Sequence, residues 1–305
     1  MKYNGLLHAI GNTPLVRIPF ECDATIYAKL EYLNPSGSIK DRSALYMIEQ
    51  AEKNGSLKPG GTVIEASSGN QGIAVAMIGA LKGYKVIITV SQKISQEKYQ
   101  TIKAYGAQVV MCPSTAFIED PESYHSKAME IHKNTPNSII LNQYFNILNA
   151  QAHYHSLGPE IWQATNGALT HYVAAAGSGG TISGAGKFLK EKNGAIKILA
   201  VDSNNSWRST NGNPKPYQVE GMGIDFETPV LNTSIIDTYL PVSDEDALGF
   251  LKTLASQYGL LVGSTSGAVA WAALEYAKKH LTKDDTVVMI FGDSGRAYLT
   301  KNFYN

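Results

Sequence analysis

Cysteine is almost missing from this 305-residue chain: only Cys22 and Cys112 occur, far apart and in no CxxC pair. That argues against a disulfide framework and a thiolate zinc site, and favours a reducing cytoplasm. An excess of one charge is missing too. The 26 Lys and Arg balance 26 Asp and Glu, so the formal net charge is zero. A nucleic-acid or membrane surface usually asks for a basic excess, so neither is expected as the main partner. No apolar run approaches the length of a membrane span, and Met1–Gly5 leads into polar sequence rather than a secretory apolar core. Charge blocks, low-complexity segments and solenoid-period repeats are absent. The seven histidines give no metal pattern. His153 and His155, two apart, would point to different faces of a helix, and solvated or hydrogen-bonded histidines account for them.

What is present is a rhythm of short β-branched runs and helical patterns, in a chain long enough for one large or two smaller domains. Strands are expected at Ile26–Glu31, Thr62–Glu65, Lys85–Val90, Gln108–Met111, Tyr172–Ala175, Ile198–Val201 and Thr286–Ile290. Helices are expected from Gly72, from Gln96 to Tyr105 with Gly106 as stop, and from near Ile182. Strands alternating with helices imply α/β architecture: parallel sheets with helices on both faces. Ligands in such sheets bind beyond the carboxyl ends of the strands.

Three segments occupy such positions. Lys40 stands in Asn34-Pro35-Ser36-Gly37-Ser38-Ile39-Lys40-Asp41-Arg42, a loop running into a helix. A lysine held there, beside hydroxyls and a glycine, is a candidate for a Schiff base to an aldehyde cofactor. Ser67-Ser68-Gly69-Asn70-Gln71-Gly72 offers hydroxyls and two consecutive amides, although either serine alone can be a helix cap. Gly177-Ser178-Gly179-Gly180-Thr181 follows an apolar strand and offers backbone N–H groups to a phosphate, the alternative being an ordinary glycine-rich turn. A side chain at Gly179 would crowd that phosphate and strain the turn. A later turn, Gly263-Ser264-Thr265-Ser266-Gly267, offers a hydroxyl to a buried ring nitrogen, or merely starts a helix. Together these point to pyridoxal 5'-phosphate (PLP) and amino-acid chemistry. Sites from distant parts of the chain imply a cleft between two α/β units, with a break near Asn142–Asn149.

In this order the segments resemble the cysteine synthase / cystathionine β-synthase family, fold type II of the PLP enzymes. The resemblance runs from Gly11-Asn12-Thr13-Pro14-Leu15 to Asp293-Ser294-Gly295-Arg296-Ala297-Tyr298-Leu299. It implies that Lys40 holds the cofactor as a Schiff base and later removes the substrate α-proton. It puts Asn70 on the cofactor 3-hydroxyl and Ser67, Ser68, Gln71 and Gln143 on the substrate carboxylate. The phosphate falls to Gly177, Ser178, Gly179, Gly180 and Thr181, and the pyridine nitrogen to Thr265. It further implies two three-layer α/β domains with twisted, mostly parallel sheets and the cofactor between them. The smaller, mobile one would span 35–145 and the larger 1–34 with 146–305, in a homodimer. The chain is expected to carry neither a haem-binding extension nor a regulatory domain.

The implied reaction is β-replacement on serine, O-acetylserine or cysteine through an aminoacrylate, with a thiol, sulfide, water or amine as nucleophile. A cysteine lyase releasing hydrogen sulfide and a 2,3-diaminopropionate synthase are the neighbouring alternatives. A non-catalytic PLP-binding scaffold is the alternative of another class, against which the intact Lys40, Asn70 and phosphate turn argue. Three places depart from the commonest family pattern. Gln71 replaces a threonine, and Thr265 replaces a serine while keeping the hydroxyl. Glu220-Gly221-Met222-Gly223-Ile224-Asp225-Phe226 resembles the cystathionine β-synthase branch and carries an acid. Asp225 is therefore a candidate at the mouth of the site, acting on the nucleophile, with a solvated loop aspartate as the alternative. Ser203–Arg208 has no evident role in the sequence.

Overall fold

The expected alternation resolves into two separate sheets in the computed structural model, which describes residues 3–115 and 118–304. Met1 and Lys2 of the opening segment lie outside the described residues. In chain order the elements are β1 (Leu15–Arg17), β2 (Thr25–Leu30), α1 (Lys40–Lys53), β3 (Thr62–Ala66), α2 (Asn70–Lys82), β4 (Lys85–Ser91), α3 (Gln96–Ala104), β5 (Gln108–Cys112), α4 (Tyr124–Asn134) and β6 (Ser138–Ile140). There follow α5 (Leu148–His155), α6 (Leu157–Ala164), β7 (His171–Ala175), α7 (Gly180–Lys192), β8 (Lys197–Ser203), β9 (Thr238–Val242), α8 (Asp244–Tyr258), α9 (Ser264–His280) and β10 (Thr286–Phe291). The smaller sheet, in the order β5-β4-β3-β6, is all parallel. The larger, β1-β2-β10-β7-β8-β9, is parallel except for β1, which pairs antiparallel with β2.

Both sheets are buried on both faces, which is why their strands read as apolar runs. Val287, Met289 and Phe291 of β10 face Leu251 and Leu254 of α8 and Val269 of α9. Val288 and Ile290, between them, face Leu157 and Ile161 of α6 and Ile182 of α7. In the smaller sheet Val63 and Ile88 pack with Met47 of α1 and Met77 of α2, while Ile64 and Ala66 meet Ala128 of α4. Each such side chain contributes about 1.5–3 kcal/mol by leaving water. The result is two three-layer α/β units.

The helix starts separate by role. Ser95, Ser123 and Ser243 cap α3, α4 and α8 with their side chains. The starts of α1, α2, α7 and α9 carry no side-chain cap, and at α7 the leading amides make no backbone hydrogen bond among the described residues. Lys40, Asn70 and Thr265, from three of these starts, line one cavity with Gly177 and Ser178, which lead into the fourth. The helix expected near Ile182 begins at Gly180.

Candidate active site

Lys40 is the first residue of α1, and its loop is firmly held. Ile39 N–H donates to Gly292 O at 2.8 Å. Asp41 accepts the Ser36 N–H at 2.8 Å and the Ser36 hydroxyl. Arg42 reaches Glu31 through Nε and Nη2 at 2.7 and 2.9 Å, and Glu160 through Nη1 and Nη2 at 2.7 and 2.8 Å. Lys29 completes the cluster, donating to Thr13 O at 2.6 Å and to Glu160 at 2.7 Å. Two cations thus balance two carboxylates, the condition for burying them. This network, which sequence reasoning missed, fixes the first turn of α1. Burial holds the Lys40 amine below the usual lysine range, partly offset by the Asp293 carboxylate.

The serines after β3 do not cap α2; Gly69 occupies the cap position. Ser67 Oγ accepts the Gly69 N–H at 3.2 Å, and Ser68 Oγ accepts the Ser91 N–H at 2.8 Å. Asn70 and Gln71 form the first turn of α2. Asn70 Nδ2 donates to Asp293 Oδ2 at 2.7 Å, and the Tyr298 hydroxyl donates to the same oxygen at 2.5 Å. Asp293 was not foreseen as a site residue. Gln71 Oε1 accepts the Ser43 hydroxyl at 3.1 Å, while its Nε2, in a residue that lines the cavity, is buried with no partner among the described residues. An orphaned donor there suits an anionic ligand group.

Among the described residues, no amide of Gly177–Thr181 donates to a backbone carbonyl. Gly177, Ser178, Gly179 and Thr181 line the cavity, so a helix N-terminus with free N–H groups opens on it. The glycines are demanded from behind. Gly179 has φ +88°, and a Cβ there would lie 2.6 Å from Leu231 Cα; a Cβ on Gly180 would lie 2.1 Å from Asn149 Oδ1. The expected crowding at Gly179 is thus against Leu231 rather than in the ligand space. His153, buried, lies 3.4 Å from Thr181 Oγ1 as a hydrogen-bonded histidine.

Of the hydroxyls of Ser264, Thr265 and Ser266, that of Thr265 alone belongs to a cavity-lining residue, and it donates to Glu220 O at 2.8 Å. The Glu220 carboxylate pairs with Lys98 of α3 and with Lys301, tying the smaller sheet's layer to the larger sheet's loop. Asp225 is exposed, and its carboxylate accepts the Tyr217 hydroxyl at 3.3 Å. Its neighbours Gly223 and Ile224 line the cavity. Ser203–Arg208 supports that rim: Trp207 N–H donates to Ile224 O at 2.9 Å, and the Ser206 hydroxyl to Asp202 at 2.8 Å. Gln143, after β6, lines the cavity beside Ser67, Ser68 and Gln71.

The residues present fit pyridoxal phosphate. The free amides of the α7 start suit a phosphate dianion, and Lys40 offers a buried amine to an aldehyde. Lys40, Asn70, Gly177, Ser178, Gly221 and Thr265 line both lobes of the cavity. Among the described residues no cluster of His, Cys, Asp and Glu could hold a metal ion. No helix there is long and apolar enough to cross a membrane.

A family model described as pyridoxal-phosphate dependent enzyme matches residues 6–293. A cystathionine beta-synthase of Apis mellifera is 44% identical over 305 residues, covering 97% of this chain and 60% of that protein. The chain thus spans only part of the length of that relative. An O-acetylserine dependent cystathionine beta-synthase of Bacillus subtilis is 40% identical, covering 97% of this chain and 95% of that one. The crystal structure of a hydrogen sulfide-producing enzyme from Fusobacterium nucleatum superposes with a TM-score of 0.92 at 36% identity, over 98% of both chains. The matched span takes in every strand of both sheets and the four helix starts at the cavity, and this chain belongs to the family of pyridoxal-phosphate dependent enzymes.

Proposed function

We propose that this protein catalyses β-replacement on a small L-amino acid: L-serine, O-acetyl-L-serine or L-cysteine. The β-substituent leaves, and a thiol, sulfide, water or amine takes its place. The observation that carries the proposal is the meeting, in one cavity, of a helix start with free amides and a buried amine of lowered pKa. Relatives named O-acetylserine dependent cystathionine beta-synthase and probable cysteine synthase support the reaction class.

Bound pyridoxal phosphate supplies an aldehyde that takes up amines and a ring that delocalises charge from the substrate α-carbon. Gly177–Thr181 would hold its phosphate, Asn70 its 3-hydroxyl and Thr265 its ring nitrogen. A neutral hydroxyl there makes a weaker electron sink than a carboxylate, which favours loss of a β-substituent over transamination. Lys40 would hold the cofactor through its aldehyde and, as a neutral amine, would remove the substrate α-proton. Its lowered pKa raises the neutral fraction. Ser67, Ser68, Gln71 and Gln143 bind the substrate carboxylate, to which Gln71 Nε2 brings an unused donor.

Release of hydrogen sulfide from cysteine is a second reading, supported by the Fusobacterium neighbour. We further propose a cytoplasmic homodimer in which 35–145 moves against the rest to admit substrate. The test is incubation of the PLP-loaded protein with β-substituted alanines and thiols, with mass detection of products. Exchange of the β-substituent is expected; transamination products alone would overturn the proposal.

A further inference from the structure

We propose that Glu65 and Asn149 are positioning residues for Gln143, holding its peptide from both sides so that its side chain meets the substrate carboxylate. The proposal rests on the reading of Gln143 as a substrate-binding residue.

Glu65 lies in β3 between Ile64 and Ala66 and is fully buried. A buried carboxylate needs partners. Its partners are two consecutive amides: Asn142 N–H donates to Oε2 at 2.8 Å and Gln143 N–H to Oε1 at 3.3 Å. Successive amides converge on one anion only where the chain turns. Asn142 supplies that turn with φ +53°, in the left-handed region. The other side of the Gln143 residue is held as well. Asn149 Nδ2 donates to Gln143 O at 2.8 Å and to Ser178 Oγ at 3.1 Å. Gln143 is therefore held between β3 and the glycine turn before α7. Neither Glu65 nor Asn149 lines the cavity, so any effect on substrate passes through Gln143. Burial pushes Glu65 up to about 8, so the contact is fully charged only above that pH.

Glu65→Gln keeps the volume but turns one acceptor into a donor, so one amide loses its partner. At about pH 9 the PLP-loaded variant should show about a tenfold higher KM for the amino-acid substrate, with kcat within about twofold. In the cofactor-free protein, hydrogen exchange across residues 141–147 should accelerate. Asn142→Ala and Asn142→Gly remove the same side chain, but only alanine resists the left-handed backbone. The alanine variant should raise KM as Glu65→Gln does, and the glycine variant should stay within about twofold of the parent. This pair carries the test if Glu65→Gln does not fold. In a Gln143→Ala background, Glu65→Gln should add less than about twofold. The proposal is overturned by a loss in kcat at unchanged KM, by equal effects of the two Asn142 variants, or by a Glu65→Gln effect that persists without Gln143. If Gln143→Ala alone leaves KM unchanged, the substrate-binding reading of Gln143 fails, and this proposal with it.

Discussion

Asn70 and Asp293 stand 223 positions apart in the chain and 2.7 Å apart in the fold, Nδ2 donating to Oδ2. The contact joins the first turn of α2, on the smaller sheet, to the residue two past β10, in the larger. Burial pushes Asp293 above the usual carboxylate range, while its bonds to Tyr298 and Asn70 favour the charged form. Asp293 Oδ1 has no partner among the described residues, so the two donors on Oδ2 carry the carboxylate. An amide held from behind presents a fixed face to the cavity.

Tyr298→Phe removes one of those two donors and leaves Asn70 in place. The buried carboxylate then loses half its hydrogen bonds, at a cost of about 1–3 kcal/mol. The urea midpoint should fall with no change in the slope of the transition. An unchanged midpoint would mean that Asp293 is neutral and indifferent to the phenol.

Lys40→Ala should abolish turnover without unfolding the protein. Burial already disfavours the Lys40 ammonium, so removing it relieves a cost. Thermal unfolding should hold within about 1 kcal/mol of the parent. A variant with wild-type turnover would dissociate the amine from the chemistry.

Gly179→Ala forces a left-handed alanine against Leu231. The backbone costs about 1–2 kcal/mol and the overpacking about 1–3 more. Cofactor retained after dialysis should fall together with stability. Gly249→Ala in α8 is the control: nothing lies within 4 Å of a Cβ there, and Gly249 does not line the cavity. Equal PLP retention by the two variants would count against the phosphate role of the α7 start.

The strands of both sheets were legible because burial on two faces writes an apolar run into the sequence, as in Val287–Phe291. Three strands left no such mark: β1 and β6, only three residues long, and the mostly half-exposed β9. Gly180 looked like loop because glycine carries little helix signal, yet the packing of Asn149 requires it as a helix start. Lys40, Asn70, Gln71 and Thr265 were legible as local motifs at strand-to-helix junctions. Asp293, Glu65 and the Arg42 cluster were not, because their meaning lies in partners far along the chain. Glu65 reads in the sequence only as the end of a strand, and nothing local names the amides 77 and 78 positions away.

Glu65 also sets a pH dependence of folding. In the unfolded chain a glutamate titrates near ~4.3. In the fold, burial outweighs the two amides and pushes Glu65 up to about 8. Between these values the folded protein holds a proton that the unfolded chain has released. Stability therefore falls as pH rises through that window and levels off above it. Asp41, pushed up to about 6, adds to the lower part of the same fall. The buried, neutral His153 and His171 pull the other way only below the ordinary histidine range, so urea midpoints of the parent should be lower at about pH 8.5 than at about pH 7, and Glu65→Gln should flatten the difference. A midpoint that rises with pH in the parent would place Glu65 among ordinary ionised carboxylates.

On the proposed reading, Asp225 acts in the second half of the reaction and not the first. Its carboxylate is exposed beside Gly223 and Ile224, which line the cavity, and it is steadied by the Tyr217 hydroxyl at 3.3 Å. From that rim it can accept a proton from an arriving thiol or water, or pair with the ammonium of an amino-acid nucleophile. Lys40 lines the cavity itself and, on the same reading, takes the α-proton. Asp225→Asn keeps the size, can still accept from Tyr217, and removes the charge. Release of the leaving group, followed without nucleophile by stopped flow, should keep its rate. Product formation on adding the thiol should slow about tenfold, the range expected for losing a charge-assisted contact. Tyr217→Phe leaves the carboxylate in place and should slow the second half less. Wild-type rates in both halves would make Asp225 a rim residue and nothing more. A failure confined to the first half would move its role to that step.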